Sequence, residues 1–286
     1  MTPAVDALVA RGTQVLTPAS DSARTDALLL LARALGRDRA WILAHGEECA
    51  LPAEVEAFEA LCAMRSTGAP LAYVLGSAGF YGRAFAVDAR VLVPRPETEH
   101  LVDAALKFLG RCSAPAFEVL DVGTGSGAIA CTLAAEMRNV RVTATDISPG
   151  ALAVAGANAR ALGVAERCTF ALGDLLAPVA ARRFDVIVAN LPYLPTAGIP
   201  QPPDSVTFEP RAALDGGPDG LALYRRLLPQ ASAALKPRAL LLLEAAPPVM
   251  NRLCALVDAQ FPETPVSIGR DYAGHERYVA IQQGSA

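Results

Sequence analysis

The sequence predicts an α/β protein whose main part is a doubly wound sheet domain, preceded by a small α-helical domain and a β-hairpin linker. Three observations predict it. From residue 117 onward, short apolar runs alternate with helix-like segments, the pattern of a parallel sheet covered by helices on both faces. Residues 1–72 carry apolar positions at helical spacing and no strand pattern. Residues 73–95, between the two, alternate apolar side chains with Gly and polar residues, as the strands of a hairpin do. At 286 residues, 52% hydrophobic and 19% charged, the chain is long and apolar enough to bury such cores.

The first segment, residues 1–72, is rich in Ala and Leu. Ala27, Leu28, Leu31 and Leu35, then Val55, Phe58, Leu61 and Cys62, recur at helical spacing. Asp21 or Ser22 stands where an N-cap is wanted, and Gly36, Gly46, Pro52 and Gly68 punctuate the segment. It reads as a helical bundle without a chemical motif, a packing or partner-recognition module. In the linker, residues 73–95, Tyr73, Val74, Phe80, Tyr81, Phe85, Val87, Val91 and Val93 supply the apolar alternation. The remaining domain spans 96–286. Its strands are FEVLDV, VRVTATD, TFALGD, FDVIVAN and ALLLLE, with helices expected over Ala128–Met137 and Pro149–Leu162. In such sheets a ligand sits beyond the carboxyl ends of the strands.

Composition excludes some roles. The net charge of −4 argues against a large nucleic-acid partner, which calls for a basic surface. Six scattered cysteines show no C-x-x-C spacing and read as reduced thiols. The amino-terminal stretch lacks the basic-then-apolar pattern of a secretion signal, and the run around Ala239–Leu243 is too short to cross a bilayer, so a cytoplasmic location is expected. His45, His100 and His275 stand apart from one another, and no metal site is expected.

The first strand runs into Asp121-Val122-Gly123-Thr124-Gly125-Ser126-Gly127. Glycines there permit a tight turn and let backbone N–H groups approach a ligand directly. Gly123-x-Gly125-x-x-Ala128 also satisfies a dinucleotide fingerprint. Asp146 ends the second strand, 19 residues beyond Gly127, where a carboxylate accepts both hydroxyls of a ribose. That suits S-adenosylmethionine and NAD alike. Ser148, before Pro149, is the better helix cap. Asp174 and Leu175 end the third strand; in methyltransferases with this layout an acidic or polar residue here often faces the adenine amino group, and the next side chain packs on the ring.

The fourth strand decides between the cofactors, because it runs straight into Asn190-Leu191-Pro192-Tyr193. A hydride-transfer enzyme has no use for this tetrapeptide. An amide or exocyclic amino nitrogen does, because its lone pair is delocalised and no side-chain base can deprotonate it beforehand. Acceptors for both of its N–H groups favour the developing tetrahedral nitrogen and aim the lone pair at a methyl donor. Asn190 Oδ1 and the Leu191 carbonyl provide these acceptors, Pro192 stiffens the turn, and Tyr193 offers a flat wall.

Val93-Pro94-Arg95-Pro96-Glu97-Thr98-Glu99 adds a second long motif. It resembles the signature of the release-factor glutamine N5-methyltransferases. So do Pro70–Gly76, Phe80-Tyr81-Gly82, the loop from Asp121 to Ala130, Asp146–Pro149, the tetrapeptide, and Phe208–Gly220, so the resemblance covers nearly the whole chain. It implies a helical N-terminal domain that grips the substrate, a hairpin linker and a seven-stranded Rossmann-like methyltransferase domain. It implies S-adenosyl-L-methionine as cofactor and the glutamine of the Gly-Gly-Gln motif in class 1 peptide chain release factors as target. Cofactor contacts are expected from Gly123, Thr124, Gly125, Ser126, Gly127, Asp146, Asp174, Leu175 and Asn190. Asn190, Leu191, Pro192 and Tyr193 are the expected catalytic and glutamine-binding residues. A monomer with no membrane partner and no stable nucleic-acid complex is expected.

Two departures stand out. Leu191 replaces the family's usual proline, and Glu244-Ala245-Ala246 follows the fifth strand where Glu-Ile-Gly-like sequences are common. Asn-Leu-Pro-Tyr also resembles the version in ribosomal-RNA adenine dimethyltransferases, which keeps an adenine N6-methyltransferase as an alternative. A ribosomal-protein glutamine methyltransferase is a second alternative, and a fold retained without activity is a third. Arg95 and Glu97 either order the linker over the cofactor or form a salt-bridged corner. Glu209 and Arg211 are expected to close the substrate side.

Overall fold

The structure, a computed structural model, describes residues 2–202 and 204–284. The described residues fall into two compact units, one of residues 2–77, 200–202 and 204–208, the other of residues 78–199 and 209–284.

The first unit carries α1 (Val5–Leu16), α2 (Ala23–Leu35), α3 (Arg39–Ala44), α4 (Pro52–Ser66) and α5 (Leu71–Leu75). Local chemistry sets their ends. Asp38 accepts the Trp41 N–H at 2.7 Å to cap α3, and Pro52 opens α4 while Glu54 accepts the Leu51 N–H at 2.7 Å. Gly36, with φ of 62°, closes α2 in the left-handed conformation. Ser22 is the N-cap of α2, but its side chain makes no capping bond. Leu8, Leu30, Leu31, Ile42 and Phe58 build the core of the unit. A Cβ on Gly12 would stand 2.5 Å from the Phe58 ring, so α1 requires glycine there. Asp26 and Arg65 form a buried pair at 2.8 Å, and Arg65 also donates to the Ala69 carbonyl at 3.1 Å. Asp26→Ala leaves that guanidinium buried without its counter-charge. We expect a loss of about 3–5 kcal/mol in urea unfolding of the full chain.

The hairpin is shorter than the sequence suggests. Its strands are β1 (Ser77–Phe80) and β2 (Arg83–Ala86), joined through Tyr81 and Gly82, both at positive φ. Tyr73 and Val74 lie in α5, not in a strand. Pro70 opens that turn of helix and Gly76, at φ of 74°, ends it, and the two override the alternating pattern. Val91 and Val93 are buried, but past Ala86 they belong to no strand.

The second unit continues with α6 (Glu99–Leu109), β3 (Phe117–Val122), α7 (Ala128–Glu136), β4 (Val140–Asp146), α8 (Pro149–Ala161), β5 (Cys168–Leu172), β6 (Phe184–Ala189), α9 (Ala222–Ala234), β7 (Leu235–Glu244), α10 (Pro247–Gln260), β8 (Val266–Arg270) and β9 (Glu276–Gln282). The seven strands order as β5-β4-β3-β6-β7-β9-β8. Pairing is parallel from β5 to β7, but β9 is antiparallel to both β7 and β8. The sheet is therefore mixed, not wholly parallel. Alternation along the strands assigns the faces. Leu120, Val122, Ile187, Leu241 and Leu243 pack with α9 and α10. Val119, Val142, Val186, Val188 and Leu242 pack with α6, α7 and α8. From β3 the chain builds outward to β4 and β5, then returns to lay β6 and β7 on the other side. The switch point thus falls between β3 and β6, where doubly wound sheets open a crevice.

Candidate active site

Val122 of β3 pairs with Ala189 of β6, so the glycine loop and the tetrapeptide leave the sheet side by side. A cavity of about 440 Å³ opens there, within the range of small-molecule sites. Gly123, Gly125, Asp146, Asp174, Asn190 and Leu191 all line it.

The glycine loop is held from beneath. Gly123 and Thr124 donate to the Thr145 carbonyl at 2.8 and 3.0 Å. Asp121 is fully buried, and its Oδ2 accepts from the Thr124 hydroxyl at 2.6 Å and the Ala130 N–H at 3.2 Å. Burial pushes its carboxyl up to about 7, against the pull of those two bonds and with a further push from Asp146. Asp146 accepts from Gly125 N–H at 2.9 Å and Ser148 N–H at 2.8 Å, which fixes the carboxylate at the cavity wall. Ser148 also caps α8, accepting the Ala151 N–H at 3.1 Å. Gly125 has φ of 55°, and a Cβ there would point into open space, so the backbone itself faces the cavity. Gly127 lies off the cavity. It starts α7 at φ of 79°, where a Cβ would press on Ala155 of α8 at 3.0 Å. Thr124 and Ser126 line the cavity but are mostly buried. Asp174, at the rim, is paired with Arg226 of α9, and Leu175 beside it adopts a positive φ of 49°.

Asn190 donates through Nδ2 to the Thr98 hydroxyl oxygen at 3.1 Å, which leaves Oδ1 as its free amide atom. The Leu191 side chain is buried over Gly123, where a Cβ would meet Leu191 Cδ2 at 2.9 Å. Its carbonyl stands 3.4 Å from the hydroxyl of Tyr224, which also donates to the Glu244 carbonyl. A carbonyl has two lone pairs, so one remains for another donor. Pro192 lines the cavity, whereas Tyr193 packs half-buried beside it, its hydroxyl pushed up to about 12 chiefly by burial. A second strip of chain props the tetrapeptide. Leu194 N–H donates to the Leu214 carbonyl at 3.1 Å, and Gly216 N–H returns to the Leu194 carbonyl at 2.8 Å. A Cβ on Gly216 would sit 2.7 Å from the Pro192 carbonyl, and one on Gly220 would overlap that of Tyr193. The Leu214–Gly220 stretch therefore works as a glycine-lined bed for the Asn190–Tyr193 turn.

The charged motif residues form a corner. Arg95 pairs with Glu209 at 2.5 Å, and Glu209 also accepts the Val93 N–H at 3.2 Å. Glu97 pairs with Arg277 at 3.5 Å, and Arg211 pairs with Asp215 at 3.2 Å. His45 stacks on Trp41, His100 meets Tyr272 edge-on, and His275 lies near Asp271. Among the described residues no His, Cys, Asp or Glu cluster has a metal-site arrangement. Thr98 and Glu244 stand against Asn190, although in the sequence they stood out only as members of motifs, with no expected place in the site. The available signal for Glu244 was a carboxylate ending an otherwise apolar strand.

A switch-point cavity bounded by a glycine loop, a strand-end carboxylate and an Asn-x-Pro-Tyr turn defines a Rossmann-like methyltransferase, and its methyl donor is S-adenosylmethionine. The chain matches the PrmC N-terminal domain over residues 7–76 and the methyltransferase small domain over residues 98–198. It is 44% identical over 254 residues to the release factor glutamine methyltransferase of Moorella thermoacetica, covering 89% of each chain. It is 39% identical to that of Cereibacter sphaeroides, covering 99% of each. The chain belongs to the release factor glutamine methyltransferase family. Among solved structures, a methyltransferase from Pyrococcus furiosus shares the fold at a TM-score of 0.51 and 20% identity, over 71% of this chain and 90% of that one. The hMettl16 catalytic domain does so at 0.55 and 15%, over 70% and 76%.

The cavity fits the cofactor chemically. It offers a fixed carboxylate at Asp146, cavity-lining backbone at Gly125 and an apolar wall at Ile147, a residue 66% exposed beside that carboxylate. No helix among the described residues is long and apolar enough to cross a membrane.

Proposed function

We propose that this chain methylates the side-chain N5 of the glutamine in the Gly-Gly-Gln motif of class 1 peptide chain release factors, converting S-adenosyl-L-methionine to S-adenosyl-L-homocysteine. The observation that carries this reading is the Asn190 amide at the cavity wall, its nitrogen engaged by Thr98 and its oxygen left over. Asn190 Oδ1 accepts one N–H of the glutamine amide and the Leu191 carbonyl accepts the other. The two bonds draw the nitrogen toward tetrahedral geometry and aim its lone pair. Pro192 holds the turn and Tyr193 walls the planar amide. The bound cofactor supplies a sulfonium-activated methyl group, and the surplus proton leaves to water. Leu191 keeps the carbonyl that a proline would offer and adds a buried side chain that ties the turn to Gly123.

On this reading Asp146 holds the ribose hydroxyls, and Gly123, Thr124, Gly125 and Ser126 form the cradle, while Gly127 lets the loop turn into α7 against Ala155 instead of meeting the cofactor. Asp174 and Leu175 border the adenine, and Asn190 touches the cofactor as well as the substrate. Asp146→Ala then weakens cofactor binding by about tenfold or more, on the scale of losing a charge-assisted hydrogen bond. Calorimetric titration with S-adenosylhomocysteine measures it, and an unchanged affinity refutes the ribose assignment. The helical domain, residues 1–72, serves release-factor recognition. The protein acts in the cytoplasm as a monomer and forms no stable nucleic-acid complex, in keeping with its net charge of −4.

Incubation with labelled S-adenosylmethionine and a purified class 1 release factor tests the proposal. Label should enter the wild-type factor and be lost when the glutamine of Gly-Gly-Gln is changed to alanine. Label entering RNA adenine instead would establish the adenine N6 alternative.

A further inference from the structure

Glu244 is a buried acid for which methyl transfer, as described, has no use. It ends β7, is 3% exposed, and its Oε2 has no hydrogen-bond partner among the described protein atoms. Such a group is costly to keep unless it acts on something. The Thr98 and Asn190 side chains both lie close enough to its carboxyl to hold its pKa down, and Thr98 accepts the Asn190 amide N–H at 3.1 Å. Thr98 is itself buried, at 4% exposed. Three polar side chains from three separate elements thus meet behind the catalytic turn: the Pro96–Thr98 turn, the segment after β6, and the end of β7.

We propose that Glu244 is a positioning residue for methyl transfer: through Thr98 it sets which way round the Asn190 amide sits, and so presents Oδ1 rather than Nδ2 to the substrate amide. The inference rests on the reading of Asn190 as the acceptor for the glutamine N–H. The logic is one of donor count. An ionised carboxylate only accepts, so the single Thr98 hydroxyl proton is committed to it. The Thr98 oxygen is then left as an acceptor, and only the nitrogen side of the Asn190 amide satisfies it. Protonation reverses the chain. A neutral Glu244 donates to Thr98, whose own proton is freed to bond Asn190 Oδ1, and the flipped amide meets the substrate N–H with another N–H.

The groups around Glu244 make that reversal accessible near neutral pH. Burial pushes its carboxyl up to about 7, and the Glu97 charge adds to the rise. The Thr98 and Asn190 side chains and the Arg277 guanidinium on β9 oppose it. Tyr193 and Tyr224 also feel the Glu244 charge, and their hydroxyls stay protonated throughout this range. The turnover of the wild type is therefore expected to rise with pH through about 7. Stability runs the other way. The folded state favours the neutral acid, so ionisation of Glu244 lowers stability as pH climbs from the unfolded value, 4.5, through about 7.

The test compares single-turnover methyl transfer for wild type, Glu244→Gln, Thr98→Val, Thr98→Ser and Asn190→Ala at saturating cofactor, between about pH 5.5 and 8.5. Glu244→Gln should run about tenfold slower than wild type at the alkaline end, with a flat profile and an unchanged cofactor affinity. Its melting temperature there should be no lower than that of the wild type, because a buried charge has been removed. Thr98→Ser should keep the wild-type rise and Thr98→Val should lose it, which decides the matter even if Glu244→Gln folds poorly. If Glu244→Gln and Thr98→Val keep the wild-type rate and profile while Asn190→Ala is crippled, Glu244 has no positioning role and the Asn190 assignment stands. If Asn190→Ala is itself near normal, the acceptor reading fails, and this inference with it.

Discussion

Asn190→Ala should slow methyl transfer by about 10² or more while cofactor affinity changes far less, the scale seen when one preorganised polar contact to a reacting centre is removed. The reasoning starts from the substrate. A glutamine amide nitrogen is planar and poorly nucleophilic, so the site must favour its pyramidal form only as the reaction proceeds. Asn190 Oδ1 is suited to this because its amide is already anchored: Nδ2 is engaged by Thr98 at 3.1 Å, and no side-chain reorganisation is required when the substrate arrives. Alanine removes the acceptor without moving the backbone of the turn, so the Leu191 carbonyl remains for the second N–H. Stopped-flow or quenched single-turnover rates at saturating cofactor check this, with the cofactor dissociation constant as control. A near-normal rate would remove Asn190 from the mechanism.

Gly220→Ala should be nearly as damaging, although residue 220 is not expected to touch the substrate. Its φ of 81° lies in the left-handed region, and a Cβ there would overlap the Tyr193 carbonyl oxygen. The strain alone is of the order of 1–3 kcal/mol. The alternative to bearing it is to shift the tetrapeptide, and a displacement of about 1 Å in a positioned group costs about 10² in rate. The expected signature is a large fall in turnover with the fold retained, read by methyl-transfer assay together with circular dichroism. Full activity would mean that the glycine-lined bed is not needed to hold the Asn190–Tyr193 turn.

Much of the site could be read from the chain because its determinants are contiguous. The loop from Asp121 to Gly127, Asp146 nineteen residues on, and Asn190–Tyr193 each follow a strand directly, and strand ends in a doubly wound sheet converge by topology. What the sequence did not reveal depends on contacts between distant segments. Thr98 and Asn190 are 92 residues apart, and nothing local to either announces the bond. Arg95 and Glu209 are 114 apart, so the ion pair that pins the linker was visible only as two charged motifs. The glycines of the Phe208–Gly220 motif could be recognised as unusual, but their purpose is the approach of Gly216 to Pro192 and of Gly220 to Tyr193, which is a tertiary fact. Tyr73 and Val74 misled because their β-propensity is real, yet five residues between Pro70 and Gly76 close a helical turn. Only β9 reverses direction, lying antiparallel between β7 and the edge strand β8, and the mixed polar patterns of β8 and β9 gave little notice of it.

The most direct measurement is the fragment mass spectrum of a class 1 release factor after incubation with this protein and S-adenosylmethionine. The account predicts a peptide one methyl group heavier, with the added group on the side chain of the glutamine in Gly-Gly-Gln, and no such peptide when Asn190→Ala is used for the same brief time. A methyl group found on another residue, or an unmodified factor beside methylated RNA, would contradict it.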